Sequence, residues 1–242
     1  MQLIIFKEYD TLSLYAAEEI IRLVKSKPDA VICFASGDTP RLAYKLLVEK
    51  SRIEKIDFSR VTLIGLDEWV GIPPANEGSC HYFLETNLID QLNFTESNIR
   101  LFDALSEDLR QECDRMDAVI DSKSGIDLML VGLGMNGHIG FNEPGASFNN
   151  YSQVITLDNI TTSVGQKYFN QATTLQQGIT LGLKHLSEAK RVLLLANGNR
   201  KATIIKKVLE EEVNALVPGS IIRLHSNSAV LIDEEAASLL KK

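Results

Sequence analysis

The sequence predicts an α/β protein with a mostly parallel central sheet covered by helices on both faces. Three observations lead there. Short apolar runs alternate with longer segments of helical period, which is the punctuation of βαβ units. The runs are continuously apolar, as strands buried on both faces are. The 242 residues, 45% hydrophobic and 24% charged, supply enough apolar surface for one substantial core. In chain order, QLIIF precedes TLSLYAAEEIIRLVKSK, DAVICFAS precedes RLAYKLLVEK, and VTLIGLDE precedes HYFLETNLIDQL. The helical pattern DLRQECDRMDAVIDS comes before IDLMLVG; VLLLAN then leads into RKATIIKKVLEEE, and AVLID into a last helix, EEAASLL. With no internal repeat and no low-complexity linker, one domain over residues 1–242 is expected.

Composition narrows the function classes. A formal net charge of −7 gives an average field that repels polyanions, and no run of Lys and Arg is interleaved with aromatics, so nucleic acid is not an expected partner. No stretch approaches membrane-spanning length, so no membrane partner is expected. Cys33, Cys80 and Cys113 are odd in number and lack C-x-x-C spacing, which argues against a disulfide framework or cysteine zinc site and fits a reducing cytoplasm. The other histidines, His81, His185 and His225, show no metal-ligand pairing with His138, so no metal is expected.

In a parallel α/β sheet, ligands sit beyond the carboxyl ends of the strands, and four such ends stand out. In FASGDTPRLAY, Ser36, Gly37, Asp38 and Thr39 form a polar turn, with Thr39 expected as the helix cap and Pro40 as the first helical residue. Backbone N–H groups at such a helix start make a phosphate seat, although Asp38 repels a phosphate unless Arg41 or a distant lysine compensates. In LIGLDEWVG, Asp67 and Glu68 follow an apolar run, and partial burial there would raise a carboxyl pKa and create a base. In LLLANGNRKAT, Lys201 starts a helix and faces an anion together with free backbone amides.

The fourth end, VGLGMNGHIGFNEPG, has the G-x-G-x-x-G spacing of a dinucleotide site, and Asp158 falls about twenty residues later, where a ribose-binding acid would stand. A helix must follow Gly137 for that reading, and Gly140, Asn142, Pro144 and Gly145 break any helical run. The loop instead gathers His138, Glu143 and Asn136, an imidazole, a carboxyl and an amide suited to proton transfer near neutral pH.

Together SGDTP, LDEWVG, GLGMNGHIGFNEPG and NGNRKA resemble, in order and spacing over essentially the whole chain, the glucosamine-6-phosphate deaminase (isomerase) family; the NGHIGFNEP segment is the most specific part. The resemblance implies a three-layer, modified Rossmann-like fold without a nucleotide or other cofactor. It also implies an aldose–ketose isomerisation of a hexosamine 6-phosphate with loss of ammonia. By the same resemblance Asp67 is the base that moves a proton from C2 to C1, His138 assists ring opening, and Glu143 tunes it. Asn136 stands where some members have Asp; it orients the imidazole without lending charge. Phosphate contacts come from Ser36 to Thr39 and from Lys167 and Lys201. Lys167 replaces the usual Arg, and Asp38 a usual Gly or Ser, so Asp38 is expected to point away or meet Arg41. Trp69 and Cys80, in a segment that departs from the family pattern, are brought toward the substrate.

Two alternatives stay open. Lactonases acting on 6-phosphogluconate's lactone share the pattern but usually lack FNEP. Sugar-phosphate sensors of this fold carry a DNA-binding module ahead of the sheet, whereas here a strand begins at about Gln2. Glucosamine and galactosamine 6-phosphate differ in one hydroxyl configuration, which one or two hydrogen bonds discriminate. A monomer or small homo-oligomer is expected.

Overall fold

The computed structural model describes residues 1–241. Its elements run β1 (Gln2–Phe6), α1 (Tyr9–Ser26), β2 (Val31–Phe34), α2 (Asp38–Glu54), β3 (Thr62–Gly65), β4 (Asp67–Trp69), α3 (Cys80–Asn87), β5 (Ile99–Arg100) and α4 (Leu109–Ser122). They continue with β6 (Leu128–Gly132), β7 (Gln153–Thr156), α5 (Asn159–Gly165), β8 (Gln177–Thr180), α6 (Leu183–Glu188), β9 (Val192–Ala196), α7 (Ala202–Glu210) and β10 (Ser228–Asp233). Seven strands form a central sheet in the order β1-β10-β9-β6-β2-β3-β5, and every pair in it is parallel. This is the three-layer α/β fold the sequence predicts.

Although β2 reads as one apolar run, its side chains divide by the period of two. Val31 and Cys33 join Met116 and Ile120 of α4 in one core, and Ile32 and Phe34 join Ile20 of α1 and Tyr44 and Leu47 of α2 in the other. Both faces therefore need apolar residues, and a continuous run is the result.

Beginning at β2, the chain adds β3 and β5 on one side, then returns to place β6, β9 and β10 on the other. The reversal lies between β2 and β6, and the crevice beyond their carboxyl ends is where such folds bind ligands. The turn after β2 and the glycine-rich loop after β6 both open into it.

Three local features differ from expectation. Helix α2 begins at Asp38, so Pro40 is its third residue and Gly37 (φ 104°), not Thr39, is the N-cap. Proline is accepted there because first-turn N–H groups lack intrahelical partners anyway. The segment EEAASLL forms turns rather than a helix; Asp233 accepts from the Ala236 N–H, and Ser238 and Leu240 donate to the carbonyls three residues back, Glu235 and Ala237, in place of a continuous α-helical ladder. A second, antiparallel sheet, β4-β8-β7, is absent from the sequence reading, because strands of three or four residues are too short to show alternation.

Candidate active site

Asp67 occupies the point where the chain leaves the central sheet. Leu66 still donates to the Phe34 carbonyl at 3.1 Å and accepts from Leu181 N–H at 2.9 Å, while Asp67 already pairs with Thr180 in the small sheet. The carboxyl is thus fixed at the end of β3 by two sheets. Next to it, Glu68 is buried and accepts the N–H groups of Trp69 (2.8 Å), Cys80 (2.9 Å) and His81 (2.7 Å). Burial pushes the Glu68 carboxyl up to about 7 even against the pull of these three donors toward the anion. Asp67 has no comparable set of donors. Burial first, and then the charge of Glu68, raise it to about 7, with the Cys80 thiol pulling weakly the other way. A carboxyl poised at neutrality is suited to take and return one proton.

The loop after β6 comes against this group from the other side of the crevice. Gly140 has φ 57°, and a β-carbon there would lie 3.4 Å from Asp67 Oδ2 and closer still to Thr180, so the backbone passes where no side chain fits. The loop is anchored by buried Asn142, which donates to the Ile139 (2.9 Å) and Leu181 (2.8 Å) carbonyls and accepts from Gln153 (2.7 Å). As the glycines and Pro144 require, no helix follows Gly137, and Asp158 serves as the cap of α5 by accepting from Ile160 N–H. The dinucleotide spacing is therefore coincidental.

On this loop His138 is oriented from behind. Glu143 Oε2 lies 3.1 Å from His138 Nδ1, and Thr161 Oγ1 is also 3.1 Å from it. Burial acts to raise the Glu143 carboxyl, but its bonds to His138, Thr161 and Asn136 outweigh that and hold it below the usual range. The ionised Glu143 engages Nδ1 and leaves Nε2 as the nitrogen available to a substrate. A β-carbon at position 134 would overlap Cδ2 and Nε2 of the ring, so Gly134 is the seat of the imidazole. Asn136 corrects the expectation that it orients the ring. Its amide donates to Glu143 at 2.7 Å, and its oxygen accepts the His138 backbone N–H at 3.2 Å; it positions the carboxylate and the loop.

Asp67, His138, Ser36, Gly37, Asp38, Thr39, Lys167 and Lys201 all line one cavity of about 830 Å³, a size usual for a small-molecule site. Asn136 and Glu143 stand behind its wall. The far end combines the open N-terminus of α2 with cations from distant segments. Lys201 donates to the Leu133 carbonyl, and burial, then the nearby Lys167 charge, lower it to about 8. Asp38 does meet Arg41, at 3.6 Å, but its closer partner is Lys167, at 2.6 Å. Thr39 presents its carbonyl to Tyr9 Oη at 2.7 Å instead of capping α2. Trp69 packs on Phe141 with ring centroids 4.4 Å apart, and the Ser36 hydroxyl donates to Cys80 Sγ at 3.0 Å. Asn142 is foreseen only as a helix breaker, and Thr161 and Thr180 are site residues that the sequence does not disclose. Nothing in NITTS or QGIT marks them, because their roles arise only when the small sheet brings those segments to the loop. Among the described residues, no group of three or more His, Cys, Asp and Glu side chains is arranged to hold a metal ion, and no helix is long and apolar enough to cross a membrane.

Comparison with known proteins gives matches over essentially the whole chain. Residues 8–231 match the family described as glucosamine-6-phosphate isomerases/6-phosphogluconolactonase. A glucosamine-6-phosphate deaminase of Thermoanaerobacter sp. (strain X514) is 37% identical over 99% of this chain and 95% of its own. One from Clostridium perfringens (strain SM101 / Type A) is 36% identical over the full length of both. A solved monomeric glucosamine-6-phosphate deaminase superposes with a TM-score of 0.96 at 35% identity, covering 99% of this chain and 100% of that one. The 6-phosphogluconolactonase of Thermotoga maritima shares the fold at 18% identity, with a TM-score of 0.76 over 96% of this chain and 98% of that one.

Proposed function

The chain belongs to the glucosamine-6-phosphate isomerase/6-phosphogluconolactonase family, and on that premise we propose that it deaminates and isomerises a hexosamine 6-phosphate to the ketohexose 6-phosphate and ammonia. The observation that carries this reading is the shared cavity in which a carboxyl poised near neutrality and a carboxylate-backed imidazole stand at one end, and a helix N-terminus with lysines at the other. Full-length relatives that are glucosamine-6-phosphate deaminases support the same reaction class.

The parts divide the work. Phosphate bound at the Ser36–Thr39 turn and by Lys167 and Lys201 holds the sugar in register, so remote binding energy positions the reacting carbons. His138 Nε2 moves the proton between the ring oxygen and the anomeric hydroxyl as the ring opens, and Glu143 stabilises the imidazolium. Asp67 removes the C2 proton, the electrons shift onto the C1 carbonyl oxygen, which takes a proton from the substrate's own C2 ammonium group, and the same carboxyl returns its proton to C1. The resulting C2 imine takes up water and releases ammonia, leaving the C2 ketone. Every proton in this sequence has a group within the cavity to accept it, and the residues themselves supply the acid–base chemistry.

We read residues 1–242 as one catalytic unit, acting as a monomer in the cytoplasm. The decisive assay is ammonia release from glucosamine 6-phosphate and galactosamine 6-phosphate side by side, with hydrolysis of 6-phosphogluconolactone as the third arm. Ammonia from an amino sugar is the expected outcome; lactone hydrolysis without ammonia would refute the reading.

A further inference from the structure

We propose that Asp38 is an internal competitor for the substrate's phosphate group, its carboxylate occupying Lys167 and Arg41 until a phosphate displaces it, and hence a residue that sets how strongly charged a ligand must be to bind. This deepens the functional reading above and rests on the far end of the cavity being a phosphate seat.

The geometry is specific to this position. Asp38 is the first residue of α2, directly after Gly37, so its side chain leaves from the same helix start whose free N–H groups face the cavity. Its two oxygens reach different cations: Oδ2 is 2.6 Å from Lys167 Nζ, 129 residues away in sequence, and Oδ1 is 3.6 Å from Arg41. Asp38, Arg41 and Lys167 all line the cavity. Lys167 is itself held on the 3-10 turn after α5 and lies 4.8 Å over the Tyr168 ring. Tyr9 Oη bonds the Asp38 and Thr39 carbonyls at 3.2 and 2.7 Å, fixing the backbone beneath the carboxylate. A carboxylate in this place mimics part of an anionic ligand: it satisfies the cations and repels a second anion.

A phosphate entering the seat must therefore exchange its charge for that of Asp38. A dianion offers two charges against one and gains Lys201 as well. A neutral or carboxylate-bearing sugar offers no such surplus, so the pair acts as a charge filter. Because both side chains are about half exposed, the contact is held weakly enough to be exchanged.

The test compares the intact enzyme with Asp38→Asn, Asp38→Ser, Lys167→Met, the double variant Asp38→Asn/Lys167→Met, and Lys201→Met. Each is titrated with inorganic phosphate by calorimetry and assayed for ammonia release. Removing the carboxylate is expected to tighten phosphate binding by about fivefold and to lower KM by a similar factor, the worth of one exposed charge pair. That gain should shrink when Lys167 is already gone, leaving only what Arg41 and the removed repulsion contribute. Unchanged or weaker phosphate binding in both Asp38 variants would overturn the proposal. Phosphate affinity unaltered by Lys167→Met and Lys201→Met alike would instead remove the phosphate seat, and the competitor with it.

Discussion

The two ends of the cavity are built differently. At the proton-transfer end, the side chains of His138 and Glu143 are only 18% and 5% exposed, and Asp67 is pinned where two sheets meet. At the anion end, the Lys167 and Asp38 side chains are 48% and 58% exposed and reach each other from a 3-10 turn and a helix start. Proton transfer needs atoms placed to fractions of an ångström, so its groups are fixed by backbone and buried hydrogen bonds. A phosphate handle needs charge more than angle, and long cationic side chains adapt to it. Variants at the first end are therefore expected to act mainly on kcat, those at the second on KM.

The largest effect belongs to Asp67. Asp67→Asn is expected to lower kcat by roughly 10³-fold or more while phosphate binding stays measurable. With the carboxyl raised to about 7, the wild-type kcat/KM should climb with pH to a plateau above that value, since the base works only when ionised. The same shift sets the stability. A folded-state pKa above the unfolded one means that the folded protein holds the proton more tightly, so stability declines as pH rises from about 4 to about 7. Asparagine removes that penalty, and the inactive variant should melt higher than wild type at pH 8, by ~2–4 °C if the gain is about 1 kcal/mol. The two proteins should converge at pH 4. A variant that is inactive and less stable at pH 8 would show that Asp67 is structural.

Glu143→Gln comes next. The amide keeps the shape but carries no charge to stabilise the imidazolium, so kcat should fall about 10–100-fold with little change in KM. Glu143 has a lowered pKa, and its stabilising contribution is present above the ordinary carboxyl value and lost on acidification through the folded one. Glutamine should thus melt lower than wild type at pH 7, and the difference should narrow as the pH falls below the ordinary carboxyl value. A KM effect larger than the kcat effect would place Glu143 with the anion end and break the contrast.

How much of this the sequence discloses follows from the same physics. The central sheet is legible because burial on both faces writes apolar runs such as VICF and VLLLA in plain form; Asp67 is legible because it directly follows such a run, and His138 and Lys201 because they stand in the glycine-bearing loops after β6 and β9. The small sheet is not, since DEW and QGIT are too short to carry a period, and with it Thr161 and Thr180 are hidden. Asn136 was legible as a neighbour of His138 but not in its role, because the direction of an amide depends on what packs behind it. Asp38 showed the same limit: Arg41, three residues on, is a foreseeable partner, while Lys167 becomes one only after the chain has folded back across the crevice.

The smallest expected effect lies on the residue that joins the two ends. Cys80 accepts the Ser36 hydroxyl at 3.0 Å, and its thiol hydrogen bond favours the ionised form of Asp67; one partner belongs to the phosphate turn, the other to the base. Cys80→Ala removes that bond and is expected to move the rising limb of the pH profile upward by about half a pH unit, the worth of one modest hydrogen bond. Cys80→Ser, which keeps a donor, should leave the limb near its wild-type position. Occupation of the phosphate seat draws the Ser36 hydroxyl toward the phosphate and away from the thiol, so the limb seen in kcat, with substrate bound, should lie apart from that in kcat/KM in wild type and coincide with it in Cys80→Ala. If the two limbs remain equally far apart without the thiol, the ends of the cavity communicate by another route and Cys80 only fills space between them.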